Sequence, residues 1–126
     1  MPKSAGSFSS ILLIDTTQTN RTSVAAISGR KVATVSENVR AQDLQELITK
    51  ALAKVKISLT DLEAVAVLTG PGSYTGTRMG IVTANVLGWL IDIPLLAIKN
   101  DNFELALAKL RRGDHFVTSR QVKVVY

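Results

Sequence analysis

Leu68-Thr69-Gly70-Pro71-Gly72-Ser73-Tyr74-Thr75-Gly76-Thr77-Arg78-Met79-Gly80 joins an apolar strand-like run to an apolar helix-like run through a turn dense in glycine. Residues Ala64 to Leu68 read as a buried strand, and Gly70, Pro71 and Gly72 supply the positive and fixed φ values of a tight turn. Ser73 or Thr75 can cap the helix that follows. A glycine-rich turn ending at a helix N-terminus offers backbone N–H groups to an anion, so a phosphate loop is the first reading to test. The chemistry of a P-loop is missing, because no Lys followed by Ser or Thr closes the glycine pattern and Gly76 is followed by Thr77-Arg78.

Outward from this stretch the pattern is regular. Upstream, Ile11 to Asp15 reads as a buried strand, and Thr22 to Ser28 and Lys31 to Glu37 read as two more around a Gly29-Arg30 turn, giving an antiparallel meander. Leu44, Leu47, Ile48, Ala51, Leu52 and Val55 recur at helical spacing and predict an amphipathic helix over about Ala41 to Val55. Downstream, a helix from Thr75 to Ile91, a strand from Leu95 to Ile98 and a helix from about Asn102 to Arg112, stopped by Gly113, complete a βαβα tail. Three antiparallel strands followed by two right-handed crossovers predict an α/β fold: a five-stranded mixed sheet in the order 3-2-1-4-5 with helices on its faces, the ribonuclease-H-like lobe. Residues 1–10 are expected as a flexible tail and 11–113 as the lobe. Residues 114–126 read as one further strand that opens a second, missing lobe, so that the chain is either a single-lobe protein or a fragment.

The chain has 126 residues, 46% of them hydrophobic, enough for one domain with a real core. Its net charge of +5 favours an acidic partner or RNA, although Lys and Arg are scattered and no aromatic stacking platform accompanies them. The densest basic pair, Arg111-Arg112, is equally explained by the negative end of a helix. With no cysteine, disulfides, thiolate metal sites and cysteine nucleophiles are excluded. His115 stands alone and is expected at the surface, so neither a metal centre nor a Ser-His-Asp triad is expected. The apolar stretch Met79 to Ile98 is interrupted by Asn85, Asp92 and Pro94, and Ile11 to Ile14 is too short for a signal-peptide core. A cytoplasmic protein without a membrane span or cofactor is the expectation.

The second helix carries two unusual faces. Gly76, Gly80, Ala84 and Gly88 recur every four residues and form a stripe of small side chains, which lets another backbone approach closely, either the chain's own sheet or a second helix. Arg78, Ile81, Asn85 and Trp89 form a mixed set that suits an interface, while Met79, Val82, Val86 and Leu90 read as the core face.

Ile11-Leu12-Leu13-Ile14-Asp15-Thr16-Thr17 and Gly70-Pro71-Gly72-Ser73-Tyr74-Thr75-Gly76-Thr77-Arg78-Met79-Gly80, with Leu59-Thr60-Asp61-Leu62 and Ile93-Pro94-Leu95, together resemble the TsaB (YeaZ) family over about Ile11 to Ile98. The resemblance implies an actin/Hsp70-type lobe in a non-catalytic subunit of the bacterial tRNA threonylcarbamoyladenosine machinery, paired with the catalytic subunit TsaD and joined by the ATPase TsaE. It implies an interface built by two helices. On this sequence that surface is expected at Leu44, Leu47 and Ile48 of the first helix and at Gly76, Arg78, Gly80, Ile81, Ala84, Asn85, Gly88 and Trp89 of the second. A homodimer is expected for the chain alone, and tRNA contact only through the complex.

The chain departs from the related ATPases, which carry D-x-G-T where Asp15-Thr16-Thr17 stands; the glycine that lets backbone meet a phosphate is missing, so this segment reads as a remnant of a phosphate loop. Gln42 stands where many members place a histidine. The alternative reading is a small nucleotide-dependent phosphotransferase or hydrolase, acting as a dimer through Asp15 and the Gly70 to Gly76 turn. A peptidase, sometimes attached to the family, lacks a nucleophile and base pair in this chain.

Overall fold

The computed structural model describes residues 2–122. A short strand β1 (Pro2–Ser4) and a 3-10 turn over Ala5–Ser7 precede β2 (Ser10–Gln18), β3 (Arg21–Ser28) and β4 (Lys31–Glu37). A second 3-10 turn, Ala41–Asp43, leads into α1 (Leu44–Val55), followed by β5 (Ala64–Gly70), α2 (Tyr74–Ile91), β6 (Leu95–Lys99), α3 (Phe103–Arg112) and β7 (His115–Ser119). One mixed sheet holds all seven strands in the order β1-β7-β6-β5-β2-β3-β4. β2, β3 and β4 form the antiparallel meander, and β5 and β6 continue in parallel from β2.

Ile11, Leu12, Leu13 and Ile14 are all buried, which explains why β2 reads as an unbroken apolar run. Alternate side chains of the central strands go to opposite faces. Leu12, Ile14, Val24, Ala26, Val65 and Val67 meet α1 and α2 on one side. On the other, Ile11, Leu13, Ala25, Ile27, Ala66 and Leu68 meet Phe103, Ala106 and Leu110 of α3. α1 commits Leu44, Leu47, Ile48, Ala51, Leu52 and Val55 to the first of these layers. Each fully buried aliphatic side chain of this kind stabilises the fold by about 1.5–3 kcal/mol.

The expected five-stranded order is present and extended. β7 pairs antiparallel with the free edge of β6, Leu95 opposite Ser119 and Leu96 opposite Thr118, and β1 adds outside β7. Residues 115–119, expected to open a second lobe, thus pair within this sheet and cover the edge that β6 would otherwise expose. The part of the expected last strand at 123–126 lies outside the described residues. The stretch expected as a tail is also built in: Pro2–Ser4 pairs with β7, Ala5 is buried, and the Ser10 hydroxyl donates to the Asp61 carbonyl at 2.6 Å. Among the described residues no helix is long and apolar enough to cross a membrane.

Candidate functional site

The two motif segments, 55 residues apart in the chain at Asp15 and Gly70, meet at the C-terminal ends of β2 and β5. The Ser73 N–H donates to the Thr17 carbonyl at 2.6 Å, and the Thr16 hydroxyl donates to the Gly76 carbonyl at 2.6 Å. Glycine is required along this contact. A Cβ at Gly72 would collide with Thr17, one at Gly76 would lie 2.5 Å from the Thr16 carbonyl oxygen, and one at Gly80 would collide with the Thr16 hydroxyl. Gly70 adopts φ +111°, a conformation that favours glycine. Ser73 caps α2, its hydroxyl accepting from the Gly76 N–H at 3.3 Å.

Asp15 is buried, and its Oδ1 accepts from the Thr17 N–H at 2.9 Å and the Thr17 hydroxyl at 2.6 Å. The carboxylate thus closes its own turn, as Asp commonly does at a strand end. At least two N–H groups that an anion would need, those of Ser73 and Gly76, are already taken by protein oxygens. Among the described residues no group of three or more His, Cys, Asp or Glu side chains is placed to hold a metal ion. A cavity of about 320 Å³ lies beside this junction, with Thr19, Arg40, Gln42, Ser73, Thr75 and Met79 around it.

The faces of α2 differ from the expectation. Gly76, Gly80, Ala84 and Gly88 are buried against the chain's own sheet, where a Cβ at Gly88 would come within 2.8 Å of Leu95, and so they are not available to a second helix. Ile81, expected at an interface, is buried as well. The residues expected as core face outward: Met79 is 37% exposed, Val82 53%, Val86 48% and Leu90 62%, next to Trp89 at 80%. The reason is angular. At about 100° per residue, Val82 and Val86 lie some 200° from Gly80 and Ala84, so a small stripe seated on the sheet puts them on the far side. That signal was present in the sequence and points outward once the stripe is taken as the inner face.

Arg78 is exposed, with its guanidinium 5.3 Å from the centre of the Tyr74 ring. Asn85 holds the chain's own C-terminal segment: its amide donates to the Val122 carbonyl at 2.8 Å and its oxygen accepts from the Val122 N–H at 2.7 Å. Arg120 in the same segment pairs with Asp92. On α1, Leu44, Leu47 and Ile48 belong to the core, and Gln45, Glu46, Thr49 and Lys50 face solvent. Lys50 pairs with Glu37 at 2.8 Å, a contact that raises its pKa. Of the expected surface, Arg78 and Trp89 remain exposed and Asn85 half-buried.

A family profile described as TsaD, tRNA N6-adenosine threonylcarbamoyltransferase, matches residues 15–111. The tRNA threonylcarbamoyladenosine biosynthesis protein TsaB of Buchnera aphidicola is 34% identical over 93 residues, 71% of this chain and 44% of that protein. YeaZ from Pseudomonas aeruginosa superposes with a TM-score of 0.68 at 28% identity, covering 72% of this chain and 44% of YeaZ. The chain belongs to the TsaB/YeaZ family. A tRNA N6-adenosine threonylcarbamoyltransferase of Methylobacterium nodulans is also similar, 32% identical over 91 residues, 72% of this chain and 26% of that enzyme. The chain spans less than half the length of these relatives. The family match runs from Asp15, at the end of the first motif segment, through the second to the last turn of α3, so the junction of Thr16, Thr17, Gly72 and Gly76 lies within it.

Proposed function

We propose that the chain is the non-catalytic partner of a TsaD-type subunit in the assembly that makes N6-threonylcarbamoyladenosine at position 37 of tRNA. The observation that carries this reading is the outward face of α2. Met79, Val82, Val86, Trp89 and Leu90 form an exposed apolar strip with shallow hollows of about 310 Å³ and 450 Å³ along it. Clustered exposed apolar side chains around a tryptophan mark a protein contact, not a solvated surface. α1, packed on the same face of the sheet, turns Gln45, Glu46, Thr49 and Lys50 to solvent. Arg78 adds a cation at the edge.

The self-closed turn supports an absence of chemistry in this chain. Asp15 is engaged by Thr17, and the start of α2 is engaged by Thr17 and Ser73, which weighs against the nucleotide-dependent alternative. TsaE and tRNA meet this subunit through the TsaD-containing complex, and a homodimer through the same strip forms when TsaD is missing.

Light scattering after size exclusion tests the reading, on the chain alone and mixed with TsaD from the same organism. The wild type shifts to a mixed complex; Trp89→Glu and Val86→Asp abolish the shift and keep the wild-type melting temperature, while Asp15→Ala still forms it. A chain that ignores TsaD, or α2 variants that bind it as well as the wild type, overturns the proposal. Gly80 is unsuited to this test, because any side chain there meets Thr16 and disturbs the fold.

A further inference from the structure

On the other face of the sheet, at the corner diagonally opposite the Asp15 turn, lies a cavity of about 600 Å³ between the N-terminal 3-10 turn, the β3–β4 turn and the end of α3. Its volume is within the range of small-molecule sites. Ile27, Val32, Leu110 and the half-buried ring of Phe8 give it an apolar wall. Arg30 and Arg111, 81 positions apart in sequence, both line it and are both exposed. Among the described residues neither guanidinium has an ion pair or a hydrogen bond, whereas the neighbouring Arg112 is held by Asp114 at 2.8 Å. Among the described residues no acidic side chain lines the cavity, although the Glu63 carboxylate accepts from the N–H of Ser9, which does.

We propose that this cavity binds a nucleotide, with Arg30 and Arg111 on the phosphate and the base against Phe8 and the aliphatic wall. Two guanidiniums with no carboxylate among them match a group carrying close to two negative charges, as a phosphate monoester does near neutral pH, better than a singly charged carboxylate. The planar fork of arginine accepts phosphate oxygens in pairs. An inorganic anion alone would leave the apolar wall in water, whereas a base covers it, and aromatic and aliphatic contact with a base is favourable for any base. The site stands apart from α2 and from the Asp15 turn, so it does not depend on the partner reading above. The ligand's source is either a free mononucleotide or the 5′-phosphorylated end of an RNA chain, since an internal phosphodiester carries a single charge.

Isothermal titration of the full chain with AMP and, separately, with a short 5′-phosphorylated single-stranded oligoadenylate tests the proposal. Saturable binding is expected in at least one arm, weakened about tenfold by Arg30→Gln or Arg111→Gln and by Phe8→Leu, and unchanged by Trp89→Glu. Binding in the AMP arm assigns the free nucleotide, and binding confined to the oligonucleotide assigns RNA. Arg30 and Arg111 are exposed and have no ion pair or hydrogen bond among the described residues, so their variants keep the wild-type melting temperature. Absence of saturable binding at millimolar AMP and oligonucleotide overturns the proposal. So does binding indifferent to both arginines, or equal affinity for inorganic phosphate, which would show that the wall contributes nothing.

Discussion

α1 and α2 pack on the same face of one sheet and bury opposite kinds of side chain. α1 turns its leucines, isoleucine and valine inward and its charges outward. α2 turns glycine and alanine inward, with Ile81 and Leu87, and leaves Val82, Val86, Trp89 and Leu90 outside. Hydrophobic burial alone would rotate α2 the other way. What prevents it is the close approach to Thr16 at Gly76 and Gly80, and to Leu95 at Gly88, which larger side chains would block. One helix is therefore finished by its own sheet. The other remains unfinished on its outer side.

A matched pair of truncations breaks or confirms this contrast most directly. Leu47 on α1 is 1% exposed, and Leu47→Ala should cost about 2–5 kcal/mol through lost burial and the cavity left behind. Leu90→Ala on α2 removes the same atoms and should change stability by less than about 0.5 kcal/mol. Denaturant melts of the two variants read the difference, and equal losses would show that α2's outer face is covered within the chain.

Gly80 gives the next largest effect. Alanine normally gains about 1 kcal/mol over glycine in a helix interior. Here its Cβ displaces the Thr16 side chain, which would lose its bond to the Gly76 carbonyl, so Gly80→Ala should destabilise by about 1–3 kcal/mol. A rise in melting temperature would mean that α2 can shift off the sheet at no cost.

How far the sequence reveals this contrast follows from what each residue's neighbours contribute. The runs Ile11 to Ile14 and Ala64 to Leu68, and the spacing from Leu44 to Val55, announce two-sided strands and a one-sided helix, because local period and burial agree. The junction of the Asp15 and Gly70 segments is legible as a pair of motifs but not as a contact. On α2 both a small stripe and a large apolar stripe are available, and only the distance to Thr16 decides which one lies inside. Asn85 reads as an interface residue, yet it pairs with Val122, 37 positions away. The edge pairing of His115–Ser119 and the juxtaposition of Arg30 with Arg111 likewise depend on tertiary placement, which no window of sequence contains.

Asn85→Ala examines a point where another part of the chain crosses the α2 surface. It leaves the N–H and carbonyl of Val122 without their partners, so a loss of about 1–2 kcal/mol and faster amide exchange at Val122 are expected, with the core of α1 unchanged. Exchange as slow as in the wild type would show that the segment is held by the burial of Val122 alone.

Acid provides the smallest and most selective test. After α1, the turn Leu59–Asp61 is closed by a capping box in which the Asp61 carboxylate accepts from the Ser58 N–H at 2.8 Å and the Ser58 hydroxyl at 3.0 Å. These bonds, the backbone one foremost, hold the Asp61 pKa below the ordinary carboxylate value. A folded pKa lower than the unfolded one gives stability that is present in full above about pH 4, the unfolded value, and is lost as pH falls through the folded pKa. α2 is capped instead by the neutral hydroxyl of Ser73, which does not titrate. Lowering the pH below the carboxylate range should therefore loosen the Ser58–Asp61 turn before the start of α2, seen as earlier broadening of the Ser58 amide resonance than of Gly76. Asp61→Asn should bring the same loosening at neutral pH. Simultaneous loss at both turns would mean that acid acts on the sheet as a whole, and that the connection after α1 has no weakness of its own.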